Sequence, residues 1–208
     1  MVLTGTTAGA AKCKFQDSSY NALTKVRTIQ TKWESLTSAF GGKAPEGAHE
    51  VQSAAVSAKL EGHNAYLAIR IILEDYTRRE PPPYQVENAI SIPENSQLLI
   101  LMGDGTILRL PAEKELSFDA TFVPPGTASN TRFRKTDGND YVKTTEAAIS
   151  YVMDENTTAL LRAQDATNMR VEAGDTYYDI DIHKKSLGDV SAAIECLQQA
   201  RAEDGAAE

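Results

Sequence analysis

Asp179, Asp181 and His183 are the residues of this sequence whose types and spacing come closest to a chemical site. In an extended strand, residues two apart share a face. Two carboxylates and an imidazole on one face are a donor set for a divalent cation. The same alternation has a plainer reading. Tyr178, Ile180 and Ile182 fall on the opposite face, and a strand buried on one side carries polar residues on the other with no ligand at all. A metal also needs three or four converging ligands, and no further donor lies close in sequence. The metal assignment to Asp179, Asp181 and His183 is carried forward as an expectation.

Other chemistry is thinly marked. Asp137-Gly138-Asn139-Asp140 has part of the look of a calcium loop. It lacks the full acidic spacing and the glutamate at the twelfth position, and Asp, Gly and Asn are also ordinary turn residues. The three histidines are His49, His63 and His183; no GxSxG elbow and no Cys–His signature accompanies them. Gly103-Asp104-Gly105 is not followed by the lysine of a phosphate loop or by a long helical pattern. No residues are assigned to catalysis, and no cofactor fingerprint is present.

Cys13 and Cys196 are the only cysteines. In an exported chain they can pair and tie the N-terminal segment to the last helix; in a cytosolic chain they are two separate thiols. Closing so long a loop would contribute roughly 5 kcal/mol in the chain-entropy model. Residues 1–12 are small and nearly uncharged. They read either as a loose N-terminus or as the remnant of a signal peptide, with Gly9-Ala10-Ala11 as its small-residue end.

The chain has 208 residues and a formal charge of −8. That length suits one domain with a core that needs no metal. The longest apolar run, Leu98 to Met102, is far short of the ~18 residues of a membrane span. An acidic chain without a Lys/Arg cluster is poorly suited to nucleic acid.

Strand signals dominate. Val26 to Leu36 has both helical spacing and a threonine-rich filling; the threonines favour a strand. Val51–Leu60 and Ala65–Leu73 flank Glu61-Gly62-His63-Asn64 and predict a hairpin, with Leu67, Ile69, Ile71 and Leu73 on the buried face. Pro81-Pro82-Pro83 predicts a rigid extended connector. Leu98–Met102 and Thr106–Leu110 around the Asp-Gly turn form the clearest hairpin. Leu116–Val123 reads as one strand with Phe118 and Phe122 on one face, and Thr145 to Met153 alternates as another.

The last third carries the helices. Asp154 caps a short helix through Gln164, with Leu160 and Leu161 inward. Met169–Glu172 and Thr176–Ile182 are strands about a Gly174-Asp175 turn. Ser186 and Asp189 predict a capping box, after which Leu187, Val190, Ile194 and Leu197 make an apolar stripe with Cys196 to its side.

The order Tyr151-x-Met153, Leu160-Leu161, Met169-Arg170-Val171, Gly174-Asp175, Tyr178-Asp179-Ile180-Asp181-Ile182, Lys184-Lys185 and Glu195-Cys196-Leu197, with the hairpin from Leu99 to Leu110, resembles uncharacterised exported bacterial proteins. The likeness covers about half the chain and its motifs are structural. It implies export and a β-rich domain closed by a C-terminal helix, and brings no activity.

The expected fold is therefore α+β: mostly antiparallel strands in two packed sheets or one strongly curved sheet, a β-sandwich-like body with a short helix and an amphipathic C-terminal helix. One domain is expected over residues 13–202, with 203–208 a flexible tail. The expected function is a non-enzymatic periplasmic or secreted interaction module whose partner is a protein or envelope component. A hydrolase with a site assembled in space, and a metal-dependent binding protein, are the alternatives.

Overall fold

A computed structural model describes residues 13–37, 51–77, 88–123 and 141–205. In chain order the strands are β1 Phe15–Asn21, β2 Val26–Thr31, β3 Glu34–Ser35, β4 Ser53–Glu61, β5 Asn64–Thr77, β6 Asn88–Ile92, β7 Gln97–Met102, β8 Ile107–Pro111, β9 Leu116–Asp119, β10 Thr121–Val123 and β11 Tyr141–Met153. Helix α1 (Glu155–Ala163), β12 (Ala166–Ala173), β13 (Thr176–Asp181), a 3-10 turn (Lys184–Ser186) and helix α2 (Asp189–Gly205) follow.

All the strand pairings are antiparallel. The larger sheet runs β1-β2-β4-β5-β11-β10, with β3 also on β4; the smaller runs β13-β12-β7-β8, and β6 pairs with β9. The α+β expectation therefore holds, with a short helix after β11 and a C-terminal helix.

Register explains the core. Val56, Ile69 and Ile149 lie directly across β4, β5 and β11, as do Ala58, Leu67 and Tyr151. All six are fully buried, because strand alternation sends them to one face. On the smaller sheet Leu98, Ile100, Met169, Val171, Tyr178 and Ile180 are buried, while Asp181, on the opposite face of β13, is exposed. The sheets meet where Ala112 bridges to Tyr151 and Glu113 N–H donates to the Ser150 carbonyl at 2.9 Å. Helix α2 adds Val190, Ala193, Ile194, Leu197 and Ala200 to the same hydrophobic cluster.

Several local expectations are met. The hairpins around Gly62 and Gly105 form, and both glycines take positive φ, +59° and +88°, a backbone conformation that residues with a Cβ adopt only with strain. Leu67, Ile69 and Ile71 are fully buried, and Leu73 is partly so. Asp154 caps α1, accepting from Thr157 N–H at 2.6 Å, and Gln164 closes the helix. Leu161 is fully buried, whereas Leu160 is half-buried.

Others are corrected. Leu116–Val123 is two strands that part at Ala120: β9 joins β6 and β10 joins β11. Val26–Leu36 is strand but breaks at Lys32 and Trp33. Asn64 needs no special φ; it is the first residue of β5. The capping box does not form. Ser186 ends the 3-10 turn and its hydroxyl donates to the Ser35 carbonyl at 2.7 Å, so α2 starts three residues later at Asp189. Helix α2 continues to Gly205, past the expected boundary at 202. The triple proline, His49 and the Asp137–Asp140 turn lie outside the described residues.

Candidate functional site

Asp179, Asp181 and His183 sit at and just beyond the edge strand β13, on the side away from the core. Each is engaged within the chain. Arg170 lies opposite Asp179 in the β12–β13 register, and its Nε and Nη2 donate to the two carboxylate oxygens at 2.6 and 2.9 Å. The same guanidinium stacks on the Tyr177 ring, 4.0 Å from its centroid. That bond to Asp179 holds the Arg170 pKa above its ordinary value. Asp181 accepts from the Asn168 side-chain amide, again from the directly opposed residue. His183 lies past the end of β13, where its Nδ1 accepts from Lys185 N–H at 3.4 Å and caps the 3-10 turn. Among the described residues, no three His, Cys, Asp or Glu side chains are grouped so as to hold a metal ion.

The cysteines are bonded, Cys13 to Cys196. The bridge fastens the chain just before β1 to the middle of α2. Lys14, Thr31, Lys32, Glu34 and Asp189 surround it in a cleft of about 260 Å³. Cys196 is half-buried, as expected for a position beside the apolar stripe of α2.

A larger cleft of about 440 Å³ opens at the other end of the β4–β5–β11 sheet, where the β4–β5 turn, the start of α1 and the last turns of α2 converge. His63, Asp154, Glu155, Arg162 and Arg201 line it above Ala65, Val152 and Met153. The Asp154 carboxylate is held below its usual pKa by the Thr157 hydrogen bonds, so it is committed to capping the helix. Among the described residues lining the cleft the one hydroxyl, that of Thr158, donates to the Asp154 carbonyl at 2.7 Å.

Sequence reasoning missed the β1–β2 hairpin. Every residue of β1 is exposed, so no apolar alternation announces it; the strand exists because β2 supplies its hydrogen bonds from Asn21↔Val26 to Phe15↔Thr31. At its turn the Asn21 side-chain oxygen accepts from the N–H groups of Leu23 and Thr24 at 3.0 and 3.2 Å. Lys25 completes the turn in left-handed backbone, φ 55°. This small turn presents Leu23, 96% exposed, beside Tyr20, 62% exposed. The signals that could have found it were Asn21 as a turn former and the unpaired aromatics of an otherwise polar stretch.

No family model, no curated protein and no solved structure matches the chain.

Proposed function

We propose that this protein is a non-enzymatic interaction module of an oxidising, extracytoplasmic compartment, periplasmic or secreted, and that it binds through the β1–β2 hairpin. The observation that carries the reading is a strand with no buried residue that is nonetheless fixed at both ends. The Cys13–Cys196 bond holds its base and the Asn21 turn holds its tip. β2 anchors the hairpin through the buried Ile29 and Thr31, whereas β1 contributes nothing to the core yet is stapled to it, and such a strand is a device for presenting side chains. The disulfide supports the compartment, since such bonds persist where thiols are not kept reduced. Among the described residues, no helix is long and apolar enough to cross a membrane.

The test is a photo-crosslinking amino acid at position 20 in the full chain, expressed in its native cell. Adducts from position 20, and none from the exposed Glu94 on a separate turn, support the reading. Absence of adducts at position 20 overturns it. Both thiols are expected to resist alkylation until a reductant is added; free thiols in native material would remove the compartment assignment.

A further inference from the structure

We propose that the hairpin's partner is an anionic lipid surface, into whose headgroup layer the β1–β2 turn dips Leu23. This rests on the interaction reading above and names its partner. The chain as a whole carries −8, yet residues 13–32 carry Lys14, Lys25, Arg27 and Lys32 against the single acid Asp17, a formal +3. The hairpin is thus a basic element on an acidic protein, and an anionic surface attracts it while repelling most of the rest.

Shape points the same way. The last β2–β4 rung is Thr28↔Glu61, and beyond it the Arg27 carbonyl still accepts from Gly62 N–H at 2.9 Å in the β4–β5 turn, so it is the Asn21–Lys25 turn that projects past the neighbouring strand. The apolar residue at the tip is a protrusion: Leu23 is almost wholly exposed, and Tyr20, at the end of β1, and Lys25, in the same turn, are exposed as well. A protein partner would need a matching recess, whereas a lipid surface accommodates any small protrusion. Lys14 and Lys32 pair at the base of the hairpin, so the tip itself combines Leu23 with Tyr20 and Lys25, a composition that suits the boundary between acyl chains and headgroups, where amphipathic side chains keep their polar ends in water. A second copy of this chain is disfavoured, because pairing β1 edge to edge would set two +3 hairpins side by side.

Lys25 is informative. Glycine would adopt φ 55° without strain, yet the position holds a lysine. A cation next to the inserted residue is worth its backbone strain if it faces anionic headgroups. One leucine with a few cations gives weak, reversible association, so the binding is expected to be salt-sensitive.

The experiment is co-sedimentation of the oxidised full chain with vesicles of phosphatidylglycerol and phosphatidylcholine in equal parts, and with phosphatidylcholine alone. Binding to the first, at least tenfold weaker binding to the second, and loss of binding in molar salt are expected. Leu23→Asp abolishes it without changing the melting temperature, because Leu23 makes no core contact. Lys25→Gly weakens it while raising the melting temperature, a combination that a purely structural role for Lys25 does not produce. No binding to the anionic vesicles, or binding that survives Leu23→Asp, overturns the inference. Protein adducts from position 20 without vesicle binding would overturn it too, while leaving the interaction reading in place.

Discussion

The sulfur of Cys13 is bonded to that of Cys196 across 183 positions, with the two Cα atoms 5.4 Å apart. The bond closes nearly the whole described chain into one loop, so its main thermodynamic effect is on the unfolded state. Replacing both cysteines by serine should lower stability by roughly 3–5 kcal/mol in urea unfolding, following the chain-entropy dependence on loop length. It should also expose the β1–β2 hairpin to proteolysis before the core, because among the described residues β1 buries nothing else to hold it. Unchanged stability after both replacements would show that the denatured state keeps its ends together without the bond.

Tyr151 is fully buried, and its hydroxyl has no hydrogen-bond partner among the described residues. An unmade hydrogen bond costs about 1–3 kcal/mol. Tyr151→Phe should therefore raise stability, by about 1 kcal/mol, in thermal unfolding. Burial, assisted by the Glu172 charge, pushes the hydroxyl's pKa above the usual tyrosine value of 10.0. The unfolded chain then loses its proton first, so this residue's contribution is complete below pH 10.0 and is lost as pH rises further. The Phe variant should lack that alkaline loss.

Asp154 accepts from Thr157 N–H at the start of α1, and the Thr157 hydrogen bonds hold its pKa below the usual aspartate value of 3.8. The sign is opposite to that of Tyr151. The carboxylate's contribution is present above pH 3.8 and is lost as pH falls through the lowered folded value. Asp154→Ala should reduce the melting temperature by about 2–4 °C at neutral pH, and the gap to wild type should close on acidification below pH 3.8.

Ile69 stands directly opposite both Val56 and Ile149, and all three are fully buried. Ile69→Ala should cost about 2–5 kcal/mol through lost transfer energy and the cavity left behind. A loss under 1 kcal/mol would mean that the two strands can collapse onto the gap.

The Arg170–Asp179 pair is partly exposed, with side chains at 43% and 21% accessibility. Arg170→Ala should therefore cost only about 1 kcal/mol. With Asp179 engaged by Arg170 and Asp181 by Asn168, millimolar zinc or calcium should leave the melting temperature unchanged. A rise in wild type that disappears in Asp179→Asn would show that a cation displaces the pair.

Where side chains alternate between core and water, the sequence alone determined the structure. Leu67, Ile69 and Ile71 read correctly because a period of two has one burial solution on a sheet covered on that face. Asp154 read correctly because a cap is a contact between residues three apart. Tyr178, Ile180 and Ile182 separated from Asp179 and Asp181 for the same local reason. Tertiary structure decided what depends on a distant partner. β1 is a strand only because β2 pairs with it, and its polar sequence has no burial signal to read. Ser186 looked like a cap until the Ser35 carbonyl, 151 positions away, took its hydroxyl. Leu116–Val123 looked continuous, but β6 and β11 compete for its two halves. The cysteines illustrate the division: their identity and redox logic were legible as two alternatives, and only folding brings Cys13 against Cys196, because proximity across the chain is set by packing and not by spacing.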